Sequence, residues 1–307
     1  MRAVQRMGER LEQAPRVNDS GRNFAGRGKP RPAFALWGLL TAPLAWLVIV
    51  YVGSLALLVV SAFFSLDDFT GKPTTELTIG NISEAFTQGE YISLVVRSVA
   101  VAIAATLLCF TLAMPTAFYI ARLASRRTRR ALVVALILPL WTGYLVKAFA
   151  LRAVLAPGSE YGDGGFMSGL VGWSPGFGYV AVTLTLAYLW FPYMLLPIYA
   201  GLERLPNSLL DASADLGAGS MRTFRLVMLP LLLPSIAAGS IFTFSLSLGD
   251  YITVKIVGGT AQMIGNIIER ALLAPNQPLA AAFTLWPMMI MVAYLAVMGR
   301  AGAFKNL

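Results

Sequence analysis

The chain has 307 residues, of which 57% are hydrophobic and 13% charged, with a net charge of +9. Ordinary soluble domains carry roughly 25% charged residues, and a water-soluble fold of this size cannot hide so much apolar surface. There is no histidine and only one cysteine, Cys109, which excludes His-based triads, imidazole metal sites and internal disulfides.

Residues 1–32 carry Arg2, Arg6, Arg10, Arg16, Arg22, Arg27, Lys29 and Arg31 among Gly and Pro. This predicts a basic, disordered cytoplasmic tail rather than a signal peptide, because no short apolar region with a small-residue cleavage site follows. Residues 33–92 hold a first span and an external loop. The apolar run 33–65 exceeds the ~20 residues that cross the hydrocarbon, so it tilts, bends or projects, with Pro43 as a bend point. The loop 66–91 is acidic, with Asp67, Asp68, Glu76, Glu84 and Glu90 against Lys72.

A second span is expected over 92–121. The stretch after it contains Arg122, Arg126, Arg127, Arg129 and Arg130 and no acid, the strongest cytoplasmic marker in the chain. A third span covers 131–155 and a Gly-rich external loop 156–176. A fourth covers 177–200, broken by Pro192 and Pro197. A polar segment, 201–230, leads into a fifth span, 231–257. An external segment, 258–278, and a sixth span, 279–298, follow. Residues 301–307 form a cytoplasmic C-terminus.

Long apolar runs leave the helix as the only way to satisfy their backbone in a bilayer. The fold class is therefore an all-α integral membrane protein with six transmembrane helices. It belongs in the plasma or inner membrane as a multi-pass protein, with both termini cytoplasmic by the positive-inside rule. Basic residues sit in short segments between apolar spans. That pattern belongs to cytoplasmic loops and not to a nucleic-acid groove.

The segment 207–217 reads as a short helix. Pro206 and Asn207 suit its start and Gly217 its end. Leu209, Ala212, Ser213 and Leu216 fall on one face, and Asp211 and Asp215 on another. A lipid-facing helix is richer in Lys and Arg, so acids and small residues point to a surface that another protein approaches closely. A second helical stretch begins near Ser220 and carries Arg222 and Arg225 towards Pro230.

Ionisable and aromatic residues inside spans are the candidate pathway. Asp250 lies roughly 28 Å along the expected fifth span at 1.5 Å per residue. It either attracts a cationic solute or caps and pairs locally, with Lys255 or Lys147 as partner. Trp141, Tyr144 and Ala148 share one face of the expected third span. They either hold an ammonium group by cation–π attraction or pack and anchor the helix. Lys147 and Arg152 snorkel or pair with an acid. Tyr188, Trp190 and Tyr193 in the fourth span, and Tyr251 beside Asp250, complete the set.

The segment before the fifth span resembles the loop motif of binding-protein-dependent ABC importer permeases: EAA, three residues, Gly, nine residues, Ile, one residue, Leu-Pro. Here it stands as Asp211-Ala212-Ser213, Gly217, Val227, Leu229 and Pro230, with Asp for Glu, Ser for Ala and Val for Ile. Further strings over 93–300, LPLWTGYLVKAFALRAVL, SLGDYITVKIVGG and MIGNIIERALLAPNQPLAAAF, look like the spermidine/putrescine permease subfamily. The resemblance implies a type I ABC importer transmembrane domain with a MetI-like core over 93–300. Its coupling helix at 207–217 docks on ABC ATPase subunits. It also implies a second, similar permease subunit and an extracytoplasmic solute-binding protein. The implied cargo is a polyamine or another organic cation, with opines, phosphonates and other small solutes served by related permeases. The chain lacks the G-x-x-x-x-G-K-S/T phosphate loop. ATP and its Mg²⁺ then belong to a separate ATPase, and this chain has no cofactor, metal site or catalytic residues of its own. The rival class, a secondary transporter or channel, needs a coupling-ion site in related half-repeats, and 33–155 shows no convincing repeat in 156–298.

Overall fold

The computed structural model describes residues 40–41, 43–67, 72–157, 165–274 and 276–300. The tail expected at 1–32 and the C-terminus at 301–307 lie outside the described residues. The chain divides into two compact units, Met1–Leu55 and Ala56–Leu307. Among the described residues the first unit holds the leading part of helix α1, Pro43–Ser61, which turns through a π-helical stretch at Leu47–Val52.

Helix α1 stops at Ser61, short of the expected 65. The next residues alternate as a strand, and β1 (Phe64–Leu66) pairs antiparallel with β2 (Pro73–Leu77), with Phe64 opposite Leu77. The Ser65 and Thr74 hydroxyls meet across the pair at 2.5 Å. The Asn81 amide donates to the Ala62 and Phe64 carbonyls at 3.1 and 2.8 Å, tying the junction to α2 (Gly80–Thr87). This hairpin departs from the expected all-helical chain.

The second unit is built on α3 (Gly89–Leu123), α7 (Tyr179–Arg204) and α9 (Ser220–Leu248), which pack on one another, with α12 (Gln277–Arg300) against α9. Each is long and apolar enough to cross a membrane; with α1 they make five such helices among the described residues. A bent pair, α4 (Arg126–Trp141) and α5 (Tyr144–Leu155), turns through 99° and brings the count of crossings to six where it is taken as one span. The continuous third span expected over 131–155 is thus corrected. Pro139 removes a helical donor, and Thr142 and Gly143 leave the helix before α5 restarts. Helix α6 (Phe166–Val171) follows.

Small residues set the spacing of the bundle. Along α3, Ala102, Ala105, Cys109, Ala113 and Ala117 have no exposed surface, and they recur at helical spacing as one seam. With no water to drive association in lipid, such seams let backbones approach and gain dispersion contact. Cys109 is a packed thiol whose Sγ donates to the Ala187 carbonyl at 3.2 Å. Gly239 on α9 lies so close to α7 that a Cβ there would sit 3.0 Å from the Met194 carbonyl oxygen. Buried hydroxyls bond their own helix: Ser98 to Leu94, Thr106 to Ala102 and Thr243 to Gly239.

Helix α7 runs unbroken through Pro192 and Pro197, correcting the expected break. Packing against both α3 and α9 supports the helix across the two missing donors. The fifth span is corrected as well. Helix α9 starts at Ser220, carries Arg222 and Arg225 and a π-helical turn at Phe224–Met228, and ends at Leu248. Gly249–Tyr251 are not helical, and α10 (Ile252–Val257) follows. The expected external segment 258–278 contains helix α11 (Ile264–Leu273), whose Ile264 N–H donates to the Ser98 hydroxyl at 2.8 Å.

Gly239→Val should separate α7 from α9 and cost about 1–3 kcal/mol, as overpacking in a tight core does. Gly169→Val, where nothing lies within 4 Å, is the control. Thermal unfolding of the detergent-solubilised chain checks this, and equal melting of the two variants would refute the close-packed seam.

Candidate functional site

The break after α9 places an acid in the interior. Asp250 is 8% exposed and sits between α9 and α10. Its carboxylate accepts from the Thr253 N–H at 2.8 Å and the Thr253 hydroxyl at 2.9 Å. The Tyr144 hydroxyl, from the first residue of α5, lies 2.7 Å from both carboxylate oxygens and 2.6 Å from the Thr253 hydroxyl. The break in the third span therefore has a consequence: it turns Tyr144 towards Asp250. An Asp three residues before a Thr is a local signal for such a turn. The expected partners Lys255 and Lys147 do not pair with Asp250. Lys255 bonds Glu269 instead.

Aromatic rings flank the acid. Trp190 of α7 stacks on Tyr144 with centroids 5.9 Å apart, and Tyr193 meets Trp190 edge-on at 5.7 Å. The Trp190 indole N–H is buried and has no acceptor. Tyr144, Trp190, Ser245, Gly249, Asp250 and Tyr251 line an open cleft of about 320 Å³. Trp190 lies about 21 Å along the α7 axis from Arg204, at 1.5 Å per residue, so the cleft lies near the middle of the length of α7. A carboxylate with no cation paired to it among the described residues, beside π faces, is suited to an ammonium group.

The other expected pathway residues scatter. Trp141 is 87% exposed and Ala148 is buried. The 99° break separates Trp141 from Tyr144 and Ala148, which stay one turn apart on α5. Tyr188 lines a separate cleft of about 370 Å³ with Lys147, Thr142 and Pro139. Lys147 is half-buried there without an acid partner among the described residues. Among the described residues Arg152 has no acid partner: it donates to the Ile256 carbonyl and lies 4.8 Å over the Phe177 ring. The Tyr251 side chain is partly exposed, and its carbonyl accepts from Asn266 at 3.1 Å.

At the opposite end of α7, a two-residue link leads to helix α8 (Asn207–Asp215). It closes with a Schellman turn. The Gly217 N–H bonds the Ala214 carbonyl at 2.8 Å and the Ala218 N–H the Ser213 carbonyl at 3.0 Å, with Gly217 at φ +73°. Ser213 is buried, and its hydroxyl meets that of Thr223 at 2.8 Å, which fastens α8 to the start of α9. Asp211 and Ala212 are exposed, as are Leu209 and, at 87%, Leu216. The shared face expected for Leu209, Ala212, Ser213 and Leu216 is thereby divided, because only Ser213 turns inward. Val227 and Leu229 are half-buried and Pro230 is exposed at the π-helical turn.

A bundle of membrane-crossing helices, an acid and aromatic cleft inside it, and a short helix presented at one end define a transmembrane transport subunit. Comparison with known proteins specifies the class. Residues 113–301 match the family described as the binding-protein-dependent transport system inner membrane component. The chain is 43% identical over 296 residues to the inner membrane ABC transporter permease protein YdcU of Escherichia coli (strain K12), covering 90% of this chain and 92% of that one. It is 30% identical over 224 residues to the spermidine/putrescine transport system permease protein PotB of the same strain, covering 70% and 80%. Among solved structures, a bacterial ABC transporter involved in the import of the acidic polysaccharide alginate superposes with a TM-score of 0.69 at 14% identity, covering 89% of this chain and 96% of that one. The MetNI methionine ABC transporter gives 0.53 at 18%, covering 68% and 93%. The chain belongs to the binding-protein-dependent transport family and is an ABC importer permease of the inner membrane, with the type I importer fold.

Thr253→Val removes one hydroxyl from the carboxylate and should destabilise the solubilised chain by about 1–3 kcal/mol, the cost of a buried polar group short of a partner. Thr183→Val, whose hydroxyl bonds only the Tyr179 carbonyl, should cost less. Melting of Thr253→Val at the temperature of the unmodified chain would contradict the assigned geometry.

Proposed function

We propose that this permease forms half of the pathway of an ATP-driven importer for a small organic cation, with polyamines as the first class to test. The observation that carries the reading is Asp250, a buried carboxylate oriented by Tyr144 and Thr253 in a cleft that Trp190 and Tyr251 also line. A linear di- or polyamine offers an ammonium to the carboxylate and methylenes to the rings. The cleft recognises it through charge and π faces together. The name of the PotB relative supports the same class.

Around this chain the reading places two ABC ATPase subunits that carry ATP and Mg²⁺. A second, similar permease supplies the other half of the pathway, and a solute-binding protein works on the external side. The α8 end faces the cytoplasm, together with both termini, because Arg126, Arg127 and Arg130 lie at that end. α8 presents Asp211, Ala212, Leu216 and the Gly217 turn to the ATPase. ATPase closure then tips the bundle between outward and inward states, each populated in turn.

A second reading rests on Lys147. Half-buried, without an acid partner among the described residues and beside Tyr188, it favours a solute bearing a carboxylate or phosphonate. The two are separable. In the reconstituted complex, Asp250→Asn should lower uptake of radiolabelled putrescine roughly tenfold to a hundredfold, the loss of one charge-assisted bond, and Lys147→Gln should not lower it. Full uptake by Asp250→Asn would remove the cation reading, and uptake of a radiolabelled phosphonate that Lys147→Gln abolishes would favour the anionic solute.

Gly217→Val forces a β-branched residue into a left-handed turn at about 1–2 kcal/mol and distorts the presented surface. ATPase recovered by pull-down from native membranes should fall while insertion is unchanged. Equal recovery from the variant would argue against docking through α8.

A further inference from the structure

The arginine-rich stretch after α3 reads in the sequence as one block of positive charge. The structure separates its members. Arg126, Arg127 and Arg130 are exposed, whereas Arg122 and Arg129 are half-buried. The Arg122 guanidinium donates to the Leu202 carbonyl at 2.8 Å, to the Leu205 carbonyl at 2.7 Å and to the Asn207 side-chain oxygen. Arg129 donates to the Ile120 carbonyl at 3.0 Å and the Ala121 carbonyl at 2.5 Å, and it faces Glu203 at 3.5 Å. The Tyr199 hydroxyl donates to the same Glu203 oxygen.

These carbonyls belong to helix C-termini, where the last turn has no intrahelical donors and a cation is favoured by the dipole. Arg122 stands on α3, closes the end of α7 and holds the first residue of α8. The covalent path from α7 to α8 is Leu205–Pro206, two extended residues with ψ of 119° and 139°. Proline fixes φ at Pro206 and restricts Leu205, so the freedom left to this link is rotation about ψ of Pro206. The cleft around it, about 600 Å³, is lined by Arg122, Arg129, Glu203 and Asn207, and both guanidinium groups donate to protein oxygens, with the Arg122 Nε left without an acceptor.

We propose that Arg122 is the positioning residue that makes α8, α7 and α3 move as one body, with the Arg129–Glu203 pair holding the α3–α7 side of the same bracket. This rests on the reading of α8 as the docking helix. A displacement of α8 then reaches Trp190 through α7, and the seam of Cys109 through α3. Without the fork of Arg122, α8 swings about Leu205–Pro206 and the displacement stops there. A planar guanidinium serves because it reaches three oxygens on two elements at once.

The test uses the reconstituted complex with spin labels at Leu112→Cys on α3 and Ser208→Cys on α8. Both positions are exposed, and the native Cys109 is fully buried. The unmodified bracket should give one distance population that ATP and vanadate do not change. Arg122→Gln should add a second population that responds to nucleotide, while ATPase stays bound and hydrolyses. Putrescine taken up per ATP should fall about tenfold, within the usual range of a coupling term. Arg130→Gln removes the same charge from the same stretch and should match the unmodified chain in every readout. Arg122→Lys keeps the charge should Arg122→Gln fail to insert, and it should also show the second population. The distance readout needs no solute, so it decides the bracket whatever the cargo. Retained ATPase with unchanged distances in both Arg122 variants overturns the bracket alone. Absence of ATPase from the unmodified complex overturns the docking reading.

Discussion

In hydrocarbon a peptide group has no water to bond, so each N–H and carbonyl must find its partner within the chain. The long helices α3, α7, α9 and α12 are the direct result. The places where the chain leaves a helix show the same constraint more clearly. Several described interruptions are closed by side chains aimed at the orphaned groups. Asp250 accepts from the Thr253 N–H where α10 begins, and Arg152 donates to the Ile256 carbonyl where it ends. Arg122 covers the last carbonyls of α7, and Arg129 those of α3. Polar residues of this chain thus gather at helix ends, and the helix ends are where function is placed.

Two ends of one bundle are specialised in this way. At the inner cleft the polar groups surround a carboxylate with aromatic walls, which leaves its charge available to a solute. At the α8 end the polar groups are committed to one another and to backbone oxygens, which leaves little freedom. The contrast suits a transporter: a recognition site must release what it binds, whereas a mechanical joint must not yield. Between them run α3, α7 and α9, spaced by Ala, Gly and Cys, so that a movement at one end is carried by close-packed backbones and not by flexible side chains.

Backbone irregularity serves both ends. The π-helical turns at Tyr119–Leu123 and Phe224–Met228 sit where α3 and α9 approach α8, and such turns often accompany functional sites. The break between α4 and α5 turns Tyr144 inward. A straight helix there would have carried Tyr144 and Trp141 on one face, with the acid unattended.

The sequence by itself determined the membrane class, the approximate position of each crossing and the segment that carries the family resemblance. These depend on local composition: apolar run length, charge between runs, and a Pro and a Gly bounding a short helix. It also named Asp250 and Tyr144, because a charge inside an apolar run stands out in any context. Only the tertiary structure decided that Tyr144 meets Asp250, and that Trp141 does not join them. It alone decided that α7 stays straight through two prolines, and that two arginines among five hold the α8 joint while three face outward. The contacts of Arg122 with Leu202 and of Tyr144 with Asp250 join residues 80 and 106 positions apart. A helix break of 99° or a neighbour's packing sets them, and local patterning carries no record of either.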